Sequence, residues 1–186
     1  MMSYSKYRAL VSNLVEEGKS TGTNQTEALS QFSLLNNKRM QRLDKKAVLE
    51  ESVVQKIKDF KKPVEWIVLT ESWCGDAAQV LPYVNKIASL NENIDLKIAL
   101  RDEHLDFMDQ HLTNGGRSIP KLIMRDKETK EVLNTFGPRP SKATKMVEEY
   151  KNTYGTLTAE FKKDLQTWYT KDKGENAIKD LVSLLS

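Results

Sequence analysis

The sequence predicts a layered α/β fold in which strands and helices alternate through the middle of the chain. Continuous runs rich in β-branched and aromatic residues, which are typical of buried strands, alternate there with segments that have helical three- and four-residue apolar spacing. More helical segments precede and follow this alternation. The predicted order is helices, then βαβαββα, then further helices, and it indicates a central sheet of about four strands covered by helices.

Helices are predicted for the first sixty residues. Asn24 and Glu27 resemble a capping box that opens the second of them. The third stops before Pro63. In the first helix, which ends near Gly18, apolar residues recur at helical spacing: Tyr4, Tyr7, Leu10, Val11, Leu14 and Val15.

Strand-like and helical segments then alternate. The predicted strands cover residues 64–70, 94–100, 121–124 and 132–136, the last two forming a hairpin. Helices are predicted between them over residues 76–90 and 103–112. From about Pro140 the chain is predicted to be helical, with one apolar stripe made by Phe161, Leu165 and Trp168.

We expect these segments to form one compact domain with three parts. They are an N-terminal helical extension packed on the core (residues 1–62), the core itself (63–150) and C-terminal helices (151–186). A chain of 186 residues is long enough to bury a sizeable apolar core without a disulfide or metal. Its single cysteine excludes an internal disulfide framework and any multi-cysteine zinc site.

Composition excludes several classes of function. The net charge of +3 is mild, with 29 basic and 26 acidic residues interspersed, and does not indicate a nucleic-acid or membrane-surface partner. The longest apolar run, residues 66–69, is far shorter than the roughly 20 residues of a membrane span. The first residues have no apolar stretch typical of a signal peptide. We therefore expect a cytoplasmic protein whose thiol stays reduced.

The only thiol, Cys74, stands at the predicted junction between the first strand and the following helix. Amide groups at a helix N-terminus favour an anion and lower the pKa of a thiol, so this position predicts an exposed and reactive cysteine. Asp76 and Glu71 oppose that effect, because a nearby carboxylate disfavours the thiolate. The residues alone leave open which influence dominates.

The residues around Cys74 resemble a known active site. Residues 73–77, Trp-Cys-Gly-Asp-Ala, resemble the W-C-G-x-C motif of the thioredoxin family. Arg117, Ser118, Ile119 and Pro120 resemble the family's cis-proline loop, which faces the active cysteine and helps to dock the substrate backbone. Gly137 resembles the glycine that lets a partner chain approach. Together these three motifs span roughly residues 63–150 and imply a thioredoxin-like fold.

Two departures from the family pattern change the chemistry that the resemblance implies. Ala77 stands where the second, resolving cysteine would be, and Val68 stands where thioredoxins usually have a buried acid. A mixed disulfide on Cys74 would therefore persist until an external thiol attacked it. Ordinary dithiol reductase chemistry is not expected.

The leading hypothesis is a monothiol redox protein in which Cys74 is the catalytic nucleophile. Its motif neighbours are Trp73, Gly75, Asp76 and Ala77, and the expected substrate-docking residues are Arg117, Ser118, Ile119, Pro120 and Gly137. Expected partners are protein thiols or disulfides and, as a further candidate, a low-molecular-weight thiol whose acidic group Arg117 would attract. No cofactor or metal is expected. Two alternatives stay open: a non-catalytic binding module that keeps the family's substrate groove for a protein partner without its chemistry, and a single-cysteine redox sensor.

Three other features have two interpretations each. Trp73 either shields the thiol or packs at the end of the strand. His104 and His111 share a face of one predicted helix, but no further ligand accompanies them, so a metal site is not favoured. A basic cluster is interpreted as a solvated helix face, with an acidic partner as the alternative: Lys38, Arg39, Arg42, Lys45 and Lys46.

Overall fold

A four-stranded mixed sheet forms the centre of the protein in a computed structural model that describes residues 1–186. Its strands are β1 (Val64–Thr70), β2 (Ile94–Leu100), β3 (Lys121–Asp126) and β4 (Val132–Phe136). They lie in the order β2-β1-β3-β4, and β1 pairs with β2 in parallel and with β3 antiparallel. β3 and β4 form an antiparallel hairpin. This sheet confirms the predicted α/β fold class.

Eight α-helices accompany the sheet. They are α1 (Tyr4–Glu16), α2 (Glu27–Lys46), α3 (Glu51–Asp59), α4 (Gly75–Ala88), α5 (Leu105–Asp109), α6 (Ser141–Tyr154), α7 (Ala159–Asp172) and α8 (Glu175–Ser183). None of them has the length and apolar character needed to cross a bilayer. The helix between β1 and β2, α4, is almost entirely buried, because α2 and α8 pack against it in addition to the sheet.

The N-terminal helices are joined to the sheet and to each other by specific contacts. Met2 exchanges two backbone hydrogen bonds of 2.8 Å with Ile98 on β2, at the edge of the sheet. Asp44 of α2 accepts hydrogen bonds from Tyr4 (2.7 Å) and Arg8 (3.0 Å), both on α1. These contacts fix α1 to the sheet and to α2. Asn36 of α2 in turn donates a 3.0 Å hydrogen bond to the carbonyl of Ser72, which holds α2 beside the turn that carries the cysteine.

The C-terminal helices are fixed to the other side of α4. The hydroxyl of Tyr83 on α4 donates a 2.7 Å hydrogen bond to the carbonyl of Lys173, in the turn between α7 and α8. The buried residues of α7 are Phe161, Leu165 and Tyr169, whereas Trp168 is only half-buried. Trp168 packs against the core only in part, and the predicted stripe missed Tyr169, which is buried. This difference places Tyr169 toward α4.

Two predicted helix boundaries were also wrong. α2 begins after Thr26, whose hydroxyl accepts a 3.2 Å hydrogen bond from the amide of Leu29, so the Asn24 capping box does not form. The predicted helix over residues 103–112 is reduced to α5, which follows a short 3₁₀ turn. The backbone of His104 is not helical, and its ring nitrogen lies 3.0 Å from the carbonyl of Leu100. His104 and His111 consequently flank α5 instead of sharing one of its faces.

Candidate functional site

Cys74 is the residue immediately before α4 and serves as its N-cap. A tight turn after β1 brings its amide within 3.1 Å of the Glu71 carbonyl. The Sγ atom accepts a hydrogen bond of 3.4 Å from the amide of Ala77 in the first turn of the helix. The thiol therefore stands at the N-terminus of the helix, as the sequence predicts, and one of the unpaired helix amides points at it.

Sheet pairing brings a second loop to the thiol. Leu69, near the end of β1, lies opposite Lys121 at the start of β3. The residues before Lys121 are therefore held beside the turn that follows β1. Here the thiol of Cys74 donates a 3.3 Å hydrogen bond to the carbonyl of Ile119, and the peptide bond between Ile119 and Pro120 is cis.

The thiol is buried, so the prediction of an exposed cysteine was wrong. Cys74 is only 7% exposed. Burial is the main cause that raises its pKa to about 12, and the negative charge of Asp76 adds to the effect. The amides of Ala77 and Asp76 and the charge of Arg139 act in the opposite direction but do not prevail. Burial by segments distant in sequence, which the local sequence does not reveal, therefore determines the direction in which the pKa of Cys74 shifts.

Asp76 links three parts of the chain at the first turn of α4. Its carboxylate forms a 2.9 Å ion pair with Arg139, from the loop between β4 and α6. It also accepts a 3.0 Å hydrogen bond from the hydroxyl of Tyr169 on α7. Burial raises the pKa of Asp76, while Arg139 and Tyr169 lower it. The carboxylate is thus held by two partners instead of facing solvent.

α7 lies over the first turn of α4. Gly75 is so close to this helix that a Cβ atom added there would stand 3.2 Å from Nε2 of Gln166 and 3.6 Å from Nη1 of Arg39 on α2. Gln79, one turn further along α4, donates a 3.0 Å hydrogen bond to Gln166. We call Gln166 and Tyr169 together the α7 cover. These contacts hold α7 against the two residues that follow Cys74.

No local signal in the sequence points to the partners of Asp76. Tyr169 and Arg139 are separated from it by 93 and more than 60 residues, respectively. Tyr169 occupies the fourth position after Leu165 and belongs to the apolar face of α7. An apolar stripe predicted with a constant spacing of four residues would have included Tyr169 after Phe161 and Leu165.

Trp73 and Glu71, which precede the thiol in the sequence, each contact the turn after β2. The indole of Trp73 lies under the guanidinium of Arg101, 5.0 Å from the ring centroid. Glu71 is fully buried; its Oε1 accepts a 2.9 Å hydrogen bond from the amide of Asp102, and its Oε2 has no partner. Burial raises the pKa of Glu71. Trp73 thus packs at the end of the strand, and Glu71 tethers that end to the turn after β2.

The remaining docking residues lie around the loop before β3. Arg117 is exposed and forms a two-pronged ion pair with Asp109, at 2.6 and 2.7 Å. Its charge is therefore already paired, in contrast to the role expected for it. Ser118 is half-buried beside it. Gly137 has a φ of +114°, and an added Cβ would collide with the carbonyl of Pro120. The segment that approaches Gly137 closely is therefore the protein's own loop before β3 and not a partner chain.

Comparisons with known proteins agree with this architecture. A family model described as thioredoxin matches residues 22–151. The crystal structure of a protein of unknown function from Pseudomonas aeruginosa has a TM-score of 0.62 and 20% identity, covering 100% of this chain and 98% of that chain. An HIV epitope scaffold has a TM-score of 0.62 and 19% identity, covering 99% and 98% of the two chains. No curated protein matches significantly. The structural similarity extends through the N- and C-terminal helices and shows a shared fold.

Proposed function

The chain belongs to the thioredoxin family, and from this premise we propose that it exchanges disulfides through the single thiol of Cys74. The thiolate would attack a partner disulfide, form a mixed disulfide with one sulfur and release the other as a thiolate. An external thiolate would then attack the partner sulfur of the mixed disulfide and release Cys74. Electrons balance without any second protein cysteine, since each step forms one S–S bond and breaks one.

The observation that carries this proposal is the amide of Ala77 directed at Sγ over 3.4 Å. An amide at a helix N-terminus stabilises a thiolate more strongly than a thiol, because it faces the negative charge. The main cause that raises the pKa of Cys74 is burial, which is removable, whereas the amide belongs to the helix itself. Exposure of Cys74 would therefore leave in place the groups that favour its ionisation.

The proposal requires the α7 cover to move before a partner can react. In the closed arrangement the thiol donates its hydrogen to the carbonyl of Ile119, which is the backbone group that the family resemblance assigns to substrate docking. A partner must displace this hydrogen bond and reach a sulfur that is 7% exposed. The closed arrangement is thus a resting state, and exchange proceeds through a minor open population.

Incubation with oxidised glutathione, followed by intact-protein mass spectrometry, tests the proposal. We expect one glutathione adduct on the native protein, its removal by added free thiol and no adduct on Cys74→Ser. Unfolded protein serves as the control for a thiol with unrestricted access. An adduct that forms only on the unfolded protein would overturn the proposal.

A non-catalytic binding module is the second candidate, favoured by one observation. A pKa of about 12 for Cys74 leaves only about one thiol in 100,000 ionised at pH 7 in the closed arrangement. If opening is too rare to supply thiolate, the fold retains the groove without the exchange chemistry. A partner that co-purifies equally with the wild type and with Cys74→Ala would favour this candidate.

A further inference from the structure

A positively charged cleft lies between α2 and α7, on the outer side of their contact with α4. Its volume is about 370 Å³. Three of its cations come from α2 and one from α7, more than 120 residues later in the chain: Lys38, Arg39, Arg42 and Lys163. Two of the five basic residues that the sequence grouped together, Lys45 and Lys46, do not line it. The fold therefore places only three residues of the predicted basic cluster in the cleft and adds Lys163 to them.

None of these four cations forms an ion pair within the protein. The cleft contains no carboxylate, and Leu35 is its only apolar residue. Ordinary protein surfaces intersperse charges of both signs, as the rest of this chain does. A concave site with several cations and no acid therefore has a local positive potential that a bound anion would neutralise.

Arg39 is the innermost of the cations and is held in place. Its Nη1 donates a 2.9 Å hydrogen bond to the side chain of Asn36 and lies against Gly75. Partial burial and the nearby charge of Arg42 lower the pKa of Arg39. The negative charge of Asp76 acts in the opposite direction. The guanidinium is consequently a positioned donor beside a second cation.

Neutral hydrogen-bonding groups accompany the cations. The hydrogen-bonded side chains of Gln79 and Gln166 join α4 to α7 at the cleft, and the hydroxyls of Thr167 and Thr170 line it. Guanidinium, ammonium, amide and hydroxyl groups together are the usual donors to phosphate and carboxylate oxygens. Nearly continuous polar lining excludes an extended apolar ligand.

We propose that this cleft binds a small polyanion, a compound with clustered phosphate or carboxylate groups. The site does not include Cys74 and does not depend on the disulfide exchange proposed above. A small ligand fits better than a macromolecule, because the cations converge on a single concavity from two helices. The bound anion would bridge α2 and α7.

Isothermal titration calorimetry at low ionic strength tests this proposal, with pyrophosphate and citrate as separate probes. The double variant Arg42→Gln/Lys163→Gln removes two exposed cleft cations from different helices. Its matched control, Lys45→Gln/Lys46→Gln, removes the same charge from α2 outside the cleft. We expect at least one probe to bind the wild type, about tenfold or more weakening in the cleft variant, and less than about twofold in the control.

The two probes distinguish the sources of the anion. Tighter binding of pyrophosphate would support the proposal with phosphate as the ligand group, and tighter binding of citrate would support it with carboxylate. Equal weakening in both double variants would show diffuse attraction to net charge and overturn the proposal. Absence of binding by both probes in the correctly folded wild type would also overturn it. Circular dichroism of each variant establishes the folded state.

Discussion

The hydroxyl of Tyr169 donates a 3.0 Å hydrogen bond to the carboxylate of Asp76, which joins α7 to the first turn of α4 beside the only thiol. Tyr169→Phe removes this bond and keeps the ring. We expect opening of the cover to become easier by about 1–2 kcal/mol, which corresponds to roughly 5- to 30-fold faster alkylation of Cys74. The measurement is the alkylation rate of the native protein at fixed pH.

Tyr150→Phe is the matched control for this change. It also deletes a tyrosine hydroxyl, one that shares a 2.9 Å hydrogen bond with Thr158 at the exposed start of α7. An equal acceleration in both variants would mean that any loosening of α7 exposes the thiol, and that the bond to Asp76 has no special role.

Neutralising Asp76 is expected to make the thiol more acidic. Its negative charge is one of the causes that raise the pKa of Cys74, so Asp76→Asn should lower that pKa and increase alkylation at pH 8 about tenfold. The pH profile of the alkylation rate provides the measurement. Asp164→Asn, an exposed change on α7, should leave the profile unchanged; a shared shift would point to net charge instead.

Stability should fall at alkaline pH because of Cys74. Its pKa is raised from 9.0 to about 12 in the folded protein, so the folded state keeps a proton that the unfolded state loses above pH 9. The stabilising contribution is complete below pH 9 and declines by about 1.4 kcal/mol per pH unit above it. Urea unfolding at pH 8 and pH 10 measures this decline.

Cys74→Ala isolates the thiol from the tyrosines that also titrate at high pH. The variant should lose about 1 kcal/mol less than the wild type between these two pH values. Equal losses in the two proteins would contradict the assigned burial of the thiol.

Restoring a second cysteine should change the fate of the mixed disulfide. Ala77 is 1% exposed and its amide already contacts Sγ of Cys74. Ala77→Cys should therefore form an internal disulfide and prevent glutathione adducts from accumulating, at a packing cost of about 1–3 kcal/mol. Mass spectrometry distinguishes the two products. In Ala88→Cys, at the far end of α4, adducts should persist on Cys74.

Gly137 is expected to tolerate no side chain. Its φ of +114° and its contact with the Pro120 carbonyl both oppose a Cβ, so Gly137→Ala should cost more than about 3 kcal/mol. Gly18→Ala is the control, since that glycine has a φ of +69° with open space around it, and should cost about 1–2 kcal/mol. Thermal unfolding compares the two. Equal costs would show that the contact with Pro120 contributes nothing.

The sheet could be predicted because its information is local. β1, β2 and β4 have the predicted bounds, and β3 extends two residues beyond the prediction to Asp126. Each strand is a short run of β-branched or alternating residues between turn signals. The position of Cys74 at a helix N-terminus follows from the same local pattern.

The environment of the thiol could not be predicted, because it depends on distant segments. The helix N-terminus that predicts a reactive Cys74 is present, yet the thiol is buried, with the loop before β3 bonded to its sulfur and α7 bonded to Asp76 beside it. Neither Tyr169 nor Arg139 carries a motif. Their roles arise only when packing brings β4, α6 and α7 to the first turn of α4.

The position of α7 after the sheet in the sequence has a consequence for synthesis on the ribosome. All four strands and α4 precede α7 in the sequence, so the sheet and the thiol emerge before the segment that contacts Gly75 and Asp76 beside the thiol. A chain that folds from its N-terminus passes through an interval in which Cys74 is open to oxidants. The nascent chain is thus the form in which this sulfur is most vulnerable, and docking of α7 beside the thiol ends that interval.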